Sequence, residues 1–404
     1  MKSKRPSRVE ARITAGTGLI CALILICGQG AVAQDRVAGS ETGVLYPDRM
    51  NFYNKVVRGS KLSDDMQFYD VNRELVPATS VFNAPYTVVV SGCLTCGQYR
   101  TTYPDVEALY RDYKDKGVDF YFIYQTLMHP ENHGYVMAYS MEERFLQLDV
   151  AIEEYQTQVP WILDTFDNNF KALTGAPNGE FIFSSDGTIV HAEPLSQAPS
   201  LRNRLESLVG RVENPTSRAD LDLPDIERLG MGYEELLVDL VTLEGAANPI
   251  LFEPEESDEI YYAKMRPEVD GELLTTGTGQ MYLGFHVDPI YDASWNNLVA
   301  PVLYELTLPD GTTASPARGE GARPKVAYDT NPREFLIDIE NWDSGDPMGL
   351  EVFYFACNAE VGWCKPVTQR YTLKLTQDQW GGEQRARTQR PRALLRNAGR
   401  ERAR

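Results

Sequence analysis

The chain has 404 residues, with 39 Lys+Arg against 58 Asp+Glu, a net charge of −19, and 43% apolar residues. That length predicts two domains with connecting segments, and the ordinary globular composition excludes wholesale disorder. No run of 18 apolar residues occurs beyond the N-terminus, which excludes a polytopic membrane protein, and the acidic excess disfavours nucleic acid as a partner.

Residues 1–33 read as a signal peptide. Lys2, Lys4, Arg5, Arg8 and Arg12 form a positive n-region, Leu19 to Cys27 an apolar stretch of h-region length, and Ala31-Val32-Ala33 a small-residue cleavage site. Without this segment the chain keeps 34 basic and 57 acidic groups and four cysteines, in two close pairs, Cys93/Cys96 and Cys357/Cys364. Even pairing suits an oxidising, exported location, periplasmic or secreted. The last 22 residues hold eight Arg and two Glu. Residues 377–404 therefore read as a basic, solvated and disordered tail, with contact to an anionic surface as the alternative.

Residues 34–65 show weak periodicity and read as a lead-in. From Met66 to Val71 a short strand is predicted, and Tyr86 to Val90 is a buried strand rich in β-branched residues. Ser91 to Gly97 forms a turn. A helix follows, with Tyr103, Val106, Leu109/Tyr110 and Tyr113 on one face, closed by Gly117. Val118 to Tyr124 is a second buried strand, and Ser140-Met141-Glu142-Glu143 is a capping box opening a helix to Tyr155. Pro160 to Asp164 is a third strand. Phe181–Ser184 and Thr188–Ala192 flank an Asp186-Gly187 hairpin turn, and Leu201, Leu205, Leu208, Val209 and Val212 stripe a last helix. Strands alternating with helices predict an α/β sandwich over residues 66–212.

Residues 213–229 carry Pro and Asp and read as a flexible linker, whose 17 residues would reach roughly 20–25 Å. Over 230–376 the pattern becomes all-β, with strand-like runs at 259–265, 280–287, 302–308, 334–339, 350–357 and 368–375 split by turn residues. That spacing predicts a β-sandwich.

Cys93-Leu94-Thr95-Cys96 lies between a buried strand and a helix N-terminus. Free amides and the helix dipole favour a thiolate there, so a depressed pKa is expected for Cys96. A second thiol within reach, Cys93, resolves a mixed disulfide. Cys357 and Cys364, across a short β connection, read as a structural disulfide worth roughly 2–3 kcal/mol. Among the histidines, His129 follows the strand end at Tyr124, where α/β active sites form, and would titrate in a useful range. His191 and His286 receive no role.

The segment 66–212 resembles the thioredoxin-like superfamily and, within it, the iodothyronine deiodinases. The likeness runs through Val88 to Gly92, Cys96, Tyr99, Val106, Leu109, Asp119 to Tyr124, His129-Pro130 and Val159 to Thr165. It implies a thioredoxin-like α/β sandwich, with Cys96 on the family nucleophile, Pro104 on the thioredoxin helix proline and Pro177 on the cis-proline. It also raises His129 as an acid or base. Tyr99 stands where thioredoxins carry their second cysteine, which leaves Cys93 as the partner. The β segment, through Val352 to Cys357 and Cys364 to Pro366, loosely resembles the immunoglobulin-like N-terminal domain of the disulfide reductase DsbD. That likeness implies an immunoglobulin-like sandwich in which Cys357/Cys364 is a second redox pair.

The leading expectation is an extracytoplasmic thiol–disulfide oxidoreductase, of thioredoxin or deiodinase-like type, with catalytic Cys96, Cys93 and His129. It needs no cofactor or metal. Its partners would be thiol or disulfide proteins or small molecules, with a possible electron-donor protein. Two alternatives stay open: a copper-carrying metallochaperone, because paired thiolates suit Cu(I), and a non-catalytic binding protein on the same scaffold.

Overall fold

A computed structural model describes residues 49–378 apart from 129, 177, 227–228, 230–235 and 258. His129 and Pro177 thus lie outside the described residues, as do the signal segment and most of the basic tail. Among the described residues no helix is long and apolar enough to cross a membrane.

The first half is built on a seven-stranded sheet ordered β2-β1-β5-β4-β3-β6-β7. Its strands are β1 Gln67–Asp70, β2 Leu75–Pro77, β3 Tyr86–Gly92, β4 Val118–Tyr124, β5 Trp161–Leu163, β6 Glu180–Ser184 and β7 Ile189–Glu193. β3, β4 and β5 run parallel, while β6 and β7 return antiparallel. The parallel strands are buried on both faces, which is why Thr-Val-Val-Val and Phe-Tyr-Phe-Ile read as continuous runs. Helices α1 Arg49–Lys55, α2 Ala78–Val81 and α5 Asn169–Thr174 lie with one face, where Phe52, Val81 and Phe170 meet Val89, Ile123 and Phe181. Helices α3 Gly97–Tyr113, α4 Met141–Tyr155 and α6 Ala198–Val209 cover the other, where Val106, Leu148 and Leu205 meet Val88, Val90 and Phe122. This is a thioredoxin-like α/β sandwich.

Among the described residues the second half is built of strands, with the short helix α7 Gly271–Thr276 and one 3-10 turn at Pro289–Tyr291. Strands β8 Asn248–Pro254, β9 Ala263–Val269, β10 Gly279–Val287, β16 Arg333–Glu340 and the edge strand β13 Thr313–Ser315 form one half-sheet. β8 then turns the corner. Its Asn248 and Pro249 pair with β9, whereas Ile250 to Pro254 pair with β18 Trp363–Gln377, which pairs in turn with β17 Met348–Asn358. β17 also pairs with β11 Ser294–Asn296 and β12 Leu303–Thr307, which are extended by β15 Tyr328–Asp329 and β14 Arg318–Glu320. Met281, Leu283, Ile337, Val352, Tyr354 and Leu373 fill the space between the halves.

Three expectations shift. β8 carries no sequence signal, because Pro249 and Pro254 near its ends look like strand breakers; Pro249 sits where the strand changes partners and Pro254 is its last residue, opposite Tyr371. The capping box at α4 is half made. Ser140 Oγ accepts from the Glu143 amide, but the Glu143 carboxylate accepts from the Tyr139 amide (2.6 Å) instead of from Ser140. The supposed free tether is stitched to α3 over its described part: Thr216 bonds Asp112, Arg218 bonds Thr101 and Asp105, and the Pro224 carbonyl accepts from Tyr103.

The two halves meet through buried polar groups. Period-two alternation along β9 turns Ala263, Met265 and Val269 into the sandwich core and Lys264, Arg266 and Glu268 to the other face. Lys264 pairs with Glu143, which also accepts from Tyr291 (2.9 Å). Arg266 pairs with Glu131 (2.9 Å) and Glu268 (2.7 Å). Tyr139 lies between them, accepting from the Met265 amide at 2.7 Å.

Cys357 and Cys364 stand opposite each other on β17 and β18 and are disulfide-bonded, with Cys357 buried and Cys364 exposed. Replacing both with Ala is expected to lower stability by about 2–3 kcal/mol in urea unfolding, the effect of losing so short a closed loop.

Candidate active site

β3 delivers the thiol segment to the C-terminal end of the central strands, and its last residue is Gly92. A Cβ built there would stand 2.3 Å from the Tyr99 ring, so glycine is the residue that lets α3 dock this closely. The chain turns through Cys93-Leu94-Thr95, and Cys96 becomes the N-cap of α3 in extended conformation (φ −76°, ψ 102°). Pro104 lies within α3, and Tyr99 is fully buried against Phe122 and Tyr155, at centroid distances of 5.1 and 5.4 Å.

Both cysteines are free thiols, and both are shielded: Cys93 is 1% exposed and Cys96 6%. The Thr95 hydroxyl oxygen sits 3.5 Å from the Cys93 sulfur and accepts from the Met128 amide at 3.0 Å. Arg100 holds the turn from the other side. Its guanidinium donates to the Leu94 carbonyl (3.3 Å) and forks onto Glu154 of α4 (2.9 and 2.5 Å), a charge-assisted bidentate pair.

Electrostatics overturn the expected activation of Cys96. Burial pushes its thiol from 9.0 up to about 12, and the neighbouring Cys93 pushes the same way; the first-turn amides of Gln98 and Tyr99 pull it down but lose. Desolvation acts on the whole charge, whereas a helix terminus contributes about half a unit charge. In this closed, reduced arrangement burial favours the protonated thiol of Cys96 over the thiolate.

His129 and Pro177 are outside the described residues, but their neighbours are anchored. Met128 is bonded to Thr95, and Ala176, Asn178 and Gly179 all bond Ser91, two residues before Cys93. Cys357 and Cys364 belong to the other sheet. His191 pairs with Glu180 at 3.1 Å, both buried, and His286 lies on β10. Among the described residues no group of three His, Cys, Asp or Glu stands together to hold a metal ion. Sequence reading missed Arg100 and Thr95, for which it carries no signal beyond closeness to the cysteines. It also missed Lys264 and Arg266, whose charges at a period of two inside a strand were the available sign.

No family model matches the chain, and no curated protein matches it. Solved structures similar to it include a thiol:disulfide interchange protein from Bacteroides sp., at 19% identity over 39% of this chain and 94% of that one (TM-score 0.31). Another is the thioredoxin domain of a thiol-disulfide oxidoreductase from Bacteroides vulgatus, at 21% identity over 38% and 98% (0.30). A third is a secreted Mycobacterium tuberculosis disulfide oxidoreductase homologous to E. coli DsbE, at 11% identity over 35% and 94% (0.27). At these scores none of them bears on the chemistry of this chain.

Two outcomes follow from the site. Iodoacetamide labelling of Cys96 in the folded reduced protein should rise about tenfold per pH unit from pH 7 to 10 without a plateau, since the ordinary cysteine value is near 8.5; mapped peptides read the rate. Gly92→Ala should cost about 1–3 kcal/mol or more, as overpacking against Tyr99, read by thermal unfolding.

Proposed function

We propose that the chain is an exported thiol–disulfide oxidoreductase whose reacting groups are Cys96 and Cys93. One observation carries this reading: two free thiols share the turn that joins a central parallel strand to the N-terminus of a long helix, with Cys96 at the cap.

Cys96 thiolate attacks a sulfur of a substrate disulfide. The substrate S–S bond breaks, a mixed disulfide forms at Cys96, and the first substrate thiolate leaves and takes up a proton. Cys93, deprotonated, then attacks the Cys96 sulfur, forming the Cys93–Cys96 bond and releasing the second substrate thiol. The substrate is reduced by two electrons and the enzyme pair oxidised by two; a dithiol donor resets it by the reverse path. His129 is proposed as the group that exchanges the proton, on the strength of its place just beyond β4. Because both sulfurs are shielded and Cys96 is held protonated, attack belongs to an opened form in which the turn reaches solvent and the helix amides act on a less desolvated sulfur.

Cys96→Ser should abolish dithiol-driven reduction of a protein disulfide, and Cys93→Ser should accumulate a mixed disulfide with the substrate, detected by mass. Retention of activity in both variants would overturn the reading.

A further inference from the structure

The β half is more than a neighbour of the thiol site. Two cations two residues apart on β9, Lys264 and Arg266, are buried at 2% and 8% exposure and face the α/β half. Their carboxylates are Glu143, at the start of α4, and Glu131, in the turn Pro130–His133. These two residues bracket most of the segment that runs from β4 to α4. The same segment reaches the thiol turn at its other end, where the Met128 amide donates to Thr95 and Thr95 lies against the Cys93 sulfur. Between the anchors the segment is internally braced, by Tyr135 on the Pro130 carbonyl (3.0 Å) and by Gln147 on the Val136 carbonyl (3.0 Å).

β10 has a glycine opposite the arginine, where the side chains of Tyr282 and His286 take up the space. Gly284 pairs opposite Arg266, and a Cβ there would stand 2.1 Å from the Tyr282 hydroxyl and 2.9 Å from His286 Nε2. Lys264 is held a second way, by Asp288 at 3.7 Å and the Tyr261 carbonyl at 2.7 Å. A buried guanidinium clasping two carboxylates is fixed in place, because either partner left alone would be an uncompensated buried charge.

We propose that Arg266 is a positioning residue of the thiol site: by holding Glu131 it seats the Met128–Thr95 contact and keeps Cys93 and Cys96 covered. The β half thereby controls access to a dithiol it does not itself contain. This rests on the thiol-exchange reading for its consequence in turnover, while the placement is measurable without any substrate.

The test is site-resolved iodoacetamide labelling of the full reduced chain, from pH 7 to 10, with near-UV circular dichroism to confirm the native fold. Arg266→Ala should label Cys93 and Cys96 about tenfold faster at pH 8, the effect of losing one hydrogen bond between charged groups. Its pH profile should also bend toward that of an ordinary cysteine. Arg266→Lys should return both measures most of the way to the parent, and Lys374→Ala, which removes an exposed pair with Glu253, should change neither. Should Arg266→Ala fail to fold, Glu131→Gln, which keeps a neutral hydrogen-bonding side chain, carries the same expectation. Folded variants with the parent's rate and profile would overturn the proposal. A parent chain without exchange activity would overturn the thiol reading instead and leave the labelling result standing.

Discussion

A lysine and an arginine set two residues apart on a strand buried on both faces must each find a carboxylate. Desolvating an unpaired cation costs several kcal/mol, more than most single contacts return. In this chain the carboxylates come from the other half of the molecule. Lys264 on Glu143 and Arg266 on Glu131 thus fix how the β sandwich meets the α/β sandwich, and Tyr139 wedged between them closes the seam. The former linker, bonded along α3, adds a second tie. The segment from β4 to α4 takes part in both places: it carries Glu131 near the Met128 amide that donates to Thr95, and it runs into Glu143 at the start of α4.

That joint bears on reactivity. A cysteine at a helix N-terminus is pulled toward the thiolate by unpaired amides, but here the pull meets a sulfur set among Tyr99, Phe122 and Trp161 in an apolar core. Burial outweighs that pull and raises the Cys96 thiol above the ordinary cysteine range. In the proposed reaction this shielded pair reacts only from the opened form, because burial disfavours the thiolate here. Tyr99 contributes by filling the position three residues beyond Cys96 with a ring that Gly92 alone can accommodate.

Much of the architecture was legible. The Val-rich β3, the Phe- and Tyr-rich β4, the Asp186-Gly187 hairpin and the heptad-like stripe of α6 all announce themselves through local periodicity, which burial on a fixed face imposes. The thiol turn was legible for the same reason, since a strand and a helix bound it. β8 was hidden because its prolines carry meaning only once its two partners are known. The protonation of Cys96 was misjudged because desolvation is a property of the whole packed core, while the helix terminus is visible in a few residues. Arg266 escaped because its carboxylate lies 135 residues away in sequence. Long-range charge pairing leaves no periodic trace beyond the alternation Lys264, Arg266, Glu268.

In the proposed reaction Cys93 and Cys96 form one two-electron couple, distinct from the bond that clips β17 to β18. Equilibration of the protein in glutathione buffers of graded potential, followed by alkylation and peptide mass mapping, resolves the two couples. A single transition is expected, in which Cys93 and Cys96 become linked together while Cys357–Cys364 stays oxidised. Separate glutathione adducts on Cys93 and Cys96, with no bond between them at any potential, would contradict it.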